Sequence, residues 1–145
     1  MDDSAGLSGY AGFMLDYVRE RAVEVLKNSR RAYLATYGPA GVQAGEFPCE
    51  ARGLNLYLLV PQTSNHLFNL ELDPTVTLLS TGWELKGRAD IIPLNTVDHD
   101  LDLLAQPGAE WCALLRVVPN RIQILREKGW GYAETLELNP SDQNG

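Results

Sequence analysis

Short strand-like segments separated by turn residues run through most of this chain, and they constrain its fold more than any other feature. The segment Arg31–Tyr37 reads as a strand, and the residues Gly38-Pro39-Ala40-Gly41 form a strong turn that leads into a second strand, Val42–Phe47. Together these segments predict a hairpin. The same pattern predicts further strands at Leu54–Val60, Thr75–Ser80, Leu85–Ile92, Trp111–Val118, Arg121–Arg126 and Ala133–Leu138.

Three segments have the features of helices. Apolar residues recur at spacings of three and four from Phe13 to Lys27, which predicts an amphipathic helix. A short helix is predicted to start at Thr63 or Ser64, whose hydroxyls can accept a hydrogen bond from a free amide, and to end before Asp73-Pro74. A third is predicted to begin at Asn95 or Thr96 and to end at Gln106-Pro107-Gly108.

The short connections between strands favour antiparallel pairing over alternating β-α-β units. The chain is therefore predicted to be α+β but mainly β, with about six to eight strands closed into a barrel and short helices beside it. Side chains fill the interior of a barrel of this size, so we expect any ligand to bind outside it. We expect residues 1–145 to form a single domain, with 1–9 and 139–145 as flexible tails.

The composition limits which binding partners and which cellular compartment we expect for this chain. The chain has 12 Lys plus Arg against 19 Asp plus Glu, a formal charge of −7, which argues against binding to nucleic acid or to an anionic membrane. The longest apolar runs, such as Leu56–Pro61, are far shorter than a membrane-spanning helix requires. The acidic start of the chain does not resemble a secretory signal, and Cys49 and Cys112 lack the spacing of a metal site. We therefore expect a cytoplasmic protein with reduced cysteines.

Common catalytic and nucleotide-binding motifs are missing from the sequence. It contains no G-x-G-x-x-G, no G-x-x-x-x-G-K-[ST] and no G-x-S-x-G. Its two histidines, His66 and His99, are too few and too far apart for a zinc site, so no metal is expected. No residue stands out as a catalytic acid, base or nucleophile. If the chain performs chemistry, we expect a bound cofactor to supply it.

One ordered series of short motifs resembles a known family. Leu34-Ala35-Thr36 is followed by a glycine turn, by Leu56-Tyr57, by Thr63-Ser64 with Asn69-Leu70, and by Asp73-Pro74-x-Val76. This progression, which continues to Gly129-Trp130-Gly131, resembles the pyridoxamine 5′-phosphate oxidase-like family of FMN-binding split barrels. The resemblance covers roughly residues 13 to 138. It implies an antiparallel split barrel that binds FMN.

The resemblance also implies which residues would bind the cofactor. In the first strand it points to Arg31 and Thr36. Of the three tryptophans, Trp130 is the candidate for a flavin contact, because its Gly-flanked loop would present the ring at a dimer interface. At the start of the short helix the resemblance points to a phosphate site formed by Thr63, Ser64, Asn65 and His66. A helix N-terminus offers unpaired amides and partial positive charge, which independently suits a phosphate there.

Other interpretations of these residues stay open. Thr63 and Ser64 could serve only as a helix cap, and Arg31 as a solvated charge at a strand end. The family often has Arg or Lys at the positions of Asn65 and His66, and this chain has neither.

The resemblance implies a homodimeric FMN-dependent oxidoreductase, with flavin sites between the subunits, that acts on a small organic molecule or nicotinamide. The alternative hypothesis is a split barrel that has lost FMN and binds another ligand, such as haem, or a protein partner. A third hypothesis keeps the fold and replaces FMN by the deazaflavin F420.

Overall fold

A computed structural model describes residues 16–94, 100–125 and 132–138 of the chain. Helix α1 covers 16–27 of these, in agreement with the predicted first helix. The other regular elements are β1 (Arg31–Thr36), β2 (Gln43–Arg52), β3 (Asn55–Pro61), α2 (Asn65–Leu72), β4 (Thr75–Ser80), β5 (Trp83–Ile92), β6 (Cys112–Leu125) and β7 (Tyr132–Glu137). The tails predicted at 1–9 and 139–145 lie outside the described residues.

The strands form a closed antiparallel barrel. Their order is β3-β2-β1-β4-β5-β6, and an additional pairing of β3 with β6 closes the sheet on itself. Strand β7 is an extra strand paired with β6. Tight turns join the hairpins, and three of them use a glycine with positive φ: Gly41, Gly53 and Gly82. The predicted mainly β, antiparallel barrel is confirmed.

Strand β6 pairs with two different strands along one of its sides. Its first half, from Cys112 to Val117, pairs with β3, and its second half, from Arg121 to Leu125, pairs with β7. Strand β5 pairs with β6 along the other edge, from Leu114 to Ile124. Strand β6 therefore pairs with three other strands, β3, β5 and β7.

The prediction of two separate strands, Trp111–Val118 and Arg121–Arg126, is wrong. Pro119 and Asn120 read as a break in the sequence, but β6 runs continuously through them. A register shift at Lys86 and Gly87 places Gly87 opposite Pro119. Proline cannot donate a hydrogen bond to a neighbouring strand, and an irregularity of this kind accommodates it.

Alternate residues of each strand fill the barrel interior. Leu34, Leu58, Leu78, Leu85 and Leu115 are completely buried there. Helix α1 covers the end where β1 begins and contributes the buried residues Ala22 and Leu26 to the same core. The space inside the barrel is occupied by side chains, as expected for this size.

The connection from β5 to β6 covers part of the outer surface. Leu101, Leu103 and Ala109 pack against Leu59 and Leu114 in a second small core. The predicted third helix is only partly tested, because 95–99 lie outside the described residues. What the structure describes of it is a 3₁₀ helix at Asp102–Ala105.

Two side chains of β2 hold this connection in place. The Glu50 carboxylate accepts a hydrogen bond from the Leu103 amide at 2.8 Å and forms an ion pair with Arg52 at 2.9 Å. Arg52 also donates to the carbonyl of Asp100. No helix among the described residues is long and apolar enough to cross a membrane.

Both cysteines are free thiols. Cys49 is buried in the barrel core, where its Sγ lies 3.7 Å from the Ser29 carbonyl oxygen. Burial raises the pKa of the Cys49 thiol to about 11, so it stays protonated at neutral pH.

Gly87 gives a direct test of the contact between β5 and β6. A Cβ atom at this position would overlap the Val118 carbonyl oxygen and lie 2.9 Å from the Pro119 Cα. We expect Gly87→Ala to lower the free energy of unfolding by about 2–3 kcal/mol, because backbone atoms must move. Denaturant unfolding measures this, with exposed Arg88→Ala on the same strand as the control, expected to stay within about 0.5 kcal/mol. Equal effects of the two substitutions would contradict the close packing.

Candidate functional site

The start of α2 is capped by Ser64. The Ser64 backbone is extended (φ −71°, ψ 139°), and its hydroxyl oxygen accepts a hydrogen bond from the His66 amide at 3.1 Å. The Ser64 amide itself donates to the Pro61 carbonyl at 2.9 Å. Thr63 and Asn65 on either side are exposed. Of the two predicted starting residues, Ser64 is therefore the cap, and one amide at this helix end is already satisfied.

His66 turns inward from the helix start. Its side chain is only 5% exposed, and its Nδ1 lies 2.8 Å from the Thr36 Oγ1. Its ring meets the Phe47 ring edge to face, with centroids 5.3 Å apart. Gly45 leaves room for both rings, since a Cβ there would lie 3.2 Å from Phe47 and 3.6 Å from the His66 Nε2. The His66 side chain is thus packed against β1 and β2 at the end of the barrel.

Asn69 connects this histidine pair to the turn between β1 and β2. The Asn69 side chain is fully buried, and its Nδ2 donates to the Thr36 Oγ1 at 3.1 Å and to the Gly41 carbonyl at 2.8 Å. Its Oδ1 accepts from the Ala40 amide at 2.8 Å. The backbone passes so close that a Cβ on Gly38 would lie 2.9 Å from the Asn69 Oδ1. One amide side chain therefore fixes the whole turn.

The same network and the burial of His66 favour its neutral form. Because Asn69 donates to Thr36, the Thr36 hydroxyl proton is free to be donated to the His66 Nδ1. When Thr36 donates to Nδ1, the imidazole is neutral and carries its proton on Nε2. Burial lowers the pKa of His66, which favours the same neutral form.

Arg31 lies apart from this cluster. It stands at the other end of β1 from Thr36, about 16 Å away along the strand, on the outer face. Its Nε is 2.6 Å from the Glu46 Oε1, and this contact holds the pKa of the Glu46 carboxyl below its usual value.

The seven predicted cofactor residues therefore do not form one cluster in the structure. The structure brings together Thr36, Ser64 and His66, and it leaves Thr63 and Asn65 exposed next to them. Trp130 lies outside the described residues. Asn69 and Phe47 join the cluster, although neither was predicted as a site residue: Asn69 entered the sequence analysis only as part of the family-like motif series. Asn69 forms hydrogen bonds with Gly41 and Ala40, which lie 28 and 29 residues earlier in the chain. No local sequence pattern signals contacts over that distance.

Metal ligands do not converge in this region. Across 16–94, 100–125 and 132–138, the structure contains no group of three or more His, Cys, Asp or Glu side chains placed to hold a metal ion.

Several solved structures share this architecture. A Clostridium acetobutylicum protein of the pyridoxinephosphate oxidase family, related to general stress protein 26, superposes with a TM-score of 0.58 at 14% identity, over 89% of this chain and 96% of that one. A FAD-binding protein from Mesorhizobium loti gives 0.57 at 14% identity, over 70% of this chain and 89% of that one. A protein named F420 reductase gives 0.56 at 19% identity, over 68% and 93%.

These likenesses establish the fold. The chain has the split-barrel architecture found in proteins of the pyridoxamine 5′-phosphate oxidase type, which confirms at the level of the fold the resemblance seen in the sequence. No family model and no curated protein matches the sequence.

Asn69 should be essential for stability. Asn69→Ala removes three hydrogen bonds and leaves the Ala40 amide and the Gly41 carbonyl without their buried partner, so we expect a loss of about 3 kcal/mol. Chemical denaturation measures the change. Exposed Asn65→Ala on the same helix is the control and should cost less than about 0.5 kcal/mol. A loss below 1 kcal/mol for Asn69→Ala would mean that the turn holds without this side chain.

The buried histidine should make stability depend on pH. The His66 pKa is lowered in the folded chain, so on acidification the unfolded chain takes up a proton first, at about pH 6.5. Stability should therefore fall as the pH drops below that value, until the lowered folded pKa is passed. The measurement is the free energy of unfolding from pH 8 to pH 5 for the wild type and His66→Gln.

We expect the variant to lose the part of the pH dependence that lies between these two pKa values. His99→Gln, which removes the other histidine of the chain, should retain it. Parallel pH profiles for the wild type and His66→Gln would show that His66 does not titrate differently in the folded state.

Proposed function

We propose that this chain is an FMN-binding flavoprotein and an oxidoreductase. The observation that carries the proposal is the split barrel with a polar helix start exposed on its outside. Structures with this fold include proteins named FAD-binding and F420 reductase, which supports a flavin-type cofactor. The bound flavin would supply hydride transfer, and the chain would position the cofactor and its substrate. The substrate would be a small organic molecule or nicotinamide, and the compartment the cytoplasm.

The flavin phosphate would lie at the start of α2. The groups that face solvent there are the side chains of Thr63 and Asn65 and part of the half-buried Ser64. The residues fit a phosphate in part, because they are hydrogen-bond donors at a helix N-terminus. His66 would act indirectly, by fixing the helix start against Thr36.

The proposal includes a homodimer with flavin sites between the subunits. Exposed apolar side chains lie close to the proposed phosphate site: Phe68 on α2 is 51% exposed and Trp111 is 73% exposed. Trp111 is joined to the loop before α2 through a hydrogen bond from the Gln62 amide to its carbonyl at 3.1 Å. Sedimentation should show a dimer, and a species of 16.0 kDa alone would contradict this part of the proposal.

A second candidate function has its own supporting observation. Neither Arg nor Lys occupies positions 65 and 66, the His66 amide already donates to Ser64, and Arg31 is already paired with Glu46. A phosphate would therefore lack a free permanent charge at the helix start. This favours a split-barrel module without FMN, which would bind haem, F420 or a protein partner instead.

Absorption spectroscopy and FMN titration separate the two. We expect the purified protein to show a flavin spectrum, or to quench FMN fluorescence with saturation when FMN is added. A Soret band would indicate haem, and a deazaflavin spectrum F420. A colourless protein that leaves FMN fluorescence unchanged at micromolar concentration would refute the FMN proposal.

Two substitutions test the position of the cofactor, one at each end of β1. Asn65→Arg adds a permanent charge at an exposed position of the helix start and should tighten FMN binding about tenfold, since charged hydrogen bonds contribute about 1.5–3 kcal/mol. Arg31 lies about 16 Å along β1 from Thr36, too far from the helix start to hold the phosphate. In this proposal it would exchange Glu46 for another part of the cofactor, so Arg31→Ala should weaken FMN binding about tenfold. Exposed Arg30→Ala is the matched control and should leave the affinity unchanged. If Asn65→Arg has no effect, the phosphate lies elsewhere.

A further inference from the structure

A pair of arginines lies on the outer face of the barrel where β5 pairs with β6. Arg88 of β5 is the register partner of Val118, and Arg116 of β6 is the partner of Asp90. Arg88 and Arg116 are therefore diagonal neighbours, with Cα atoms about 7–8 Å apart. Side chains as long as arginine bridge this distance, so both guanidinium groups can reach one small ligand above the half-buried Val118.

Burial along the two strands shows that both arginines point away from the core. Ala89 and Val117, which are register partners, lie in the barrel core. Successive side chains of a strand alternate between its two faces, so Arg88 and Arg116 point outward. Arg88 is exposed, and the Arg116 side chain is 40% exposed.

The Arg116 guanidinium makes little use of its hydrogen-bond donors. A guanidinium carries five N–H donors. The Arg116 Nη2 lies 3.4 Å from the Asp90 Oδ2, which is longer than an ordinary hydrogen bond. The Arg116 Nε is buried and has no hydrogen-bond partner among the described residues. Buried donors without a partner are rare in native structures, so this side chain has capacity for a further acceptor.

The charges around the pair leave cations in excess. Arg88 forms no ion pair with any residue that the structure describes, and neither does Lys86, two residues earlier on the same face of β5. Arg121, the register partner of Lys86, is already balanced by Glu137 at 3.0 Å. Asp90, directly beside Arg116, carries a single negative charge, which cannot neutralise both Arg88 and Arg116.

Tyr57 of β3 borders the pair on its other side. Tyr57 is the register partner of Arg116, and it packs against the second small core under the β5–β6 connection. Beyond it lies Glu50, the register partner of Tyr57. The Glu50 carboxylate already accepts the Leu103 amide and pairs with Arg52, so it does not compete for Arg116.

A phosphate group suits this arrangement better than a carboxylate. The planar guanidinium presents parallel N–H groups that match phosphate oxygens, and such charge-assisted hydrogen bonds are among the strongest in proteins. A phosphate monoester is a dianion with three oxygens, so it can pair with two guanidinium groups at once. A carboxylate carries one charge and is satisfied by one of them.

From this arrangement we propose that Arg88 and Arg116 bind the phosphate group of a small phosphorylated compound, whose remainder lies over Val118 and against Tyr57. Arg116 lies about 13 Å along β6 from Cys112, the register partner of Pro61 at the end of β3. The site is therefore separate from the proposed flavin site at the start of α2, and the proposal stands whether or not FMN binds.

NMR titration of the full chain with inorganic phosphate at pH 8 and constant ionic strength tests the site, with acetate as the comparison anion. The chain has a net charge of −7, so general electrostatics disfavour both anions. We expect saturating shifts of the backbone amide signals around Arg88 and Arg116, and an affinity for phosphate about fivefold higher than for acetate. Equal affinities, or no saturating shifts on β5 and β6, overturn the proposal. Shifts confined to the start of α2 would place phosphate at the proposed flavin site and would also overturn it.

Substitutions with opposite expected effects locate the phosphate. Arg88→Gln and Arg116→Gln each remove one cation and should weaken phosphate binding about fivefold. Asp90→Asn removes the carboxylate that competes for Arg116 and should tighten phosphate binding about threefold. A purely structural role of these side chains would not produce a gain in affinity for Asp90→Asn.

Two control variants separate this site from an effect of net charge. Lys27→Gln and Glu24→Gln, at exposed positions of α1, change the charge of the chain by the same amounts and should leave the phosphate affinity unchanged. Effects equal to those of Arg116→Gln and Asp90→Asn would show that net charge alone matters, which overturns the proposal. An unchanged affinity in Arg116→Gln overturns it as well.

Discussion

The pairing of β3 with β6 is the constraint on which the rest of this structure depends. It joins two strands that are far apart in sequence, from Leu56 with Val117 to Pro61 with Cys112, and it converts an open sheet into a barrel. Closure removes two sheet edges that would otherwise expose unpaired backbone groups. It also leaves the interior to side chains, so chemistry or binding must take place on the outside or at the barrel ends.

Closure explains why β6 is long and irregular. The strand must pair with β5 along one edge while it exchanges β3 for β7 along the other. The change of partner occurs next to Pro119, where the register with β5 shifts and where Gly87 on β5 lets the backbones approach. A proline that interrupts a strand in the sequence thus marks the position where the barrel splits.

Much of this fold could be predicted from sequence, because its turns are encoded locally. Gly41, Gly53 and Gly82 lie at left-handed positions next to predicted strand ends, and β1, β3 and β4 fall within a residue of their predicted bounds. What could not be predicted depends on distant contacts. The continuity of β6 requires Gly87 to lie opposite Pro119, and the fixed β1–β2 turn requires Asn69, which comes some thirty residues later.

The candidate site shows the same division between local and distant information. The run Thr63-Ser64-Asn65-His66 reads as one polar cluster, but a helix distributes successive side chains around its axis. His66 and Asn69 are three residues apart and share the inner face of the helix. Their side chains already form hydrogen bonds with Thr36 and with the β1–β2 turn. Asn65 and Phe68 share the outer face and remain exposed. A ligand at this helix start therefore meets an amide and an aromatic ring, and any charge it needs must come from another part of the molecule or from a second subunit.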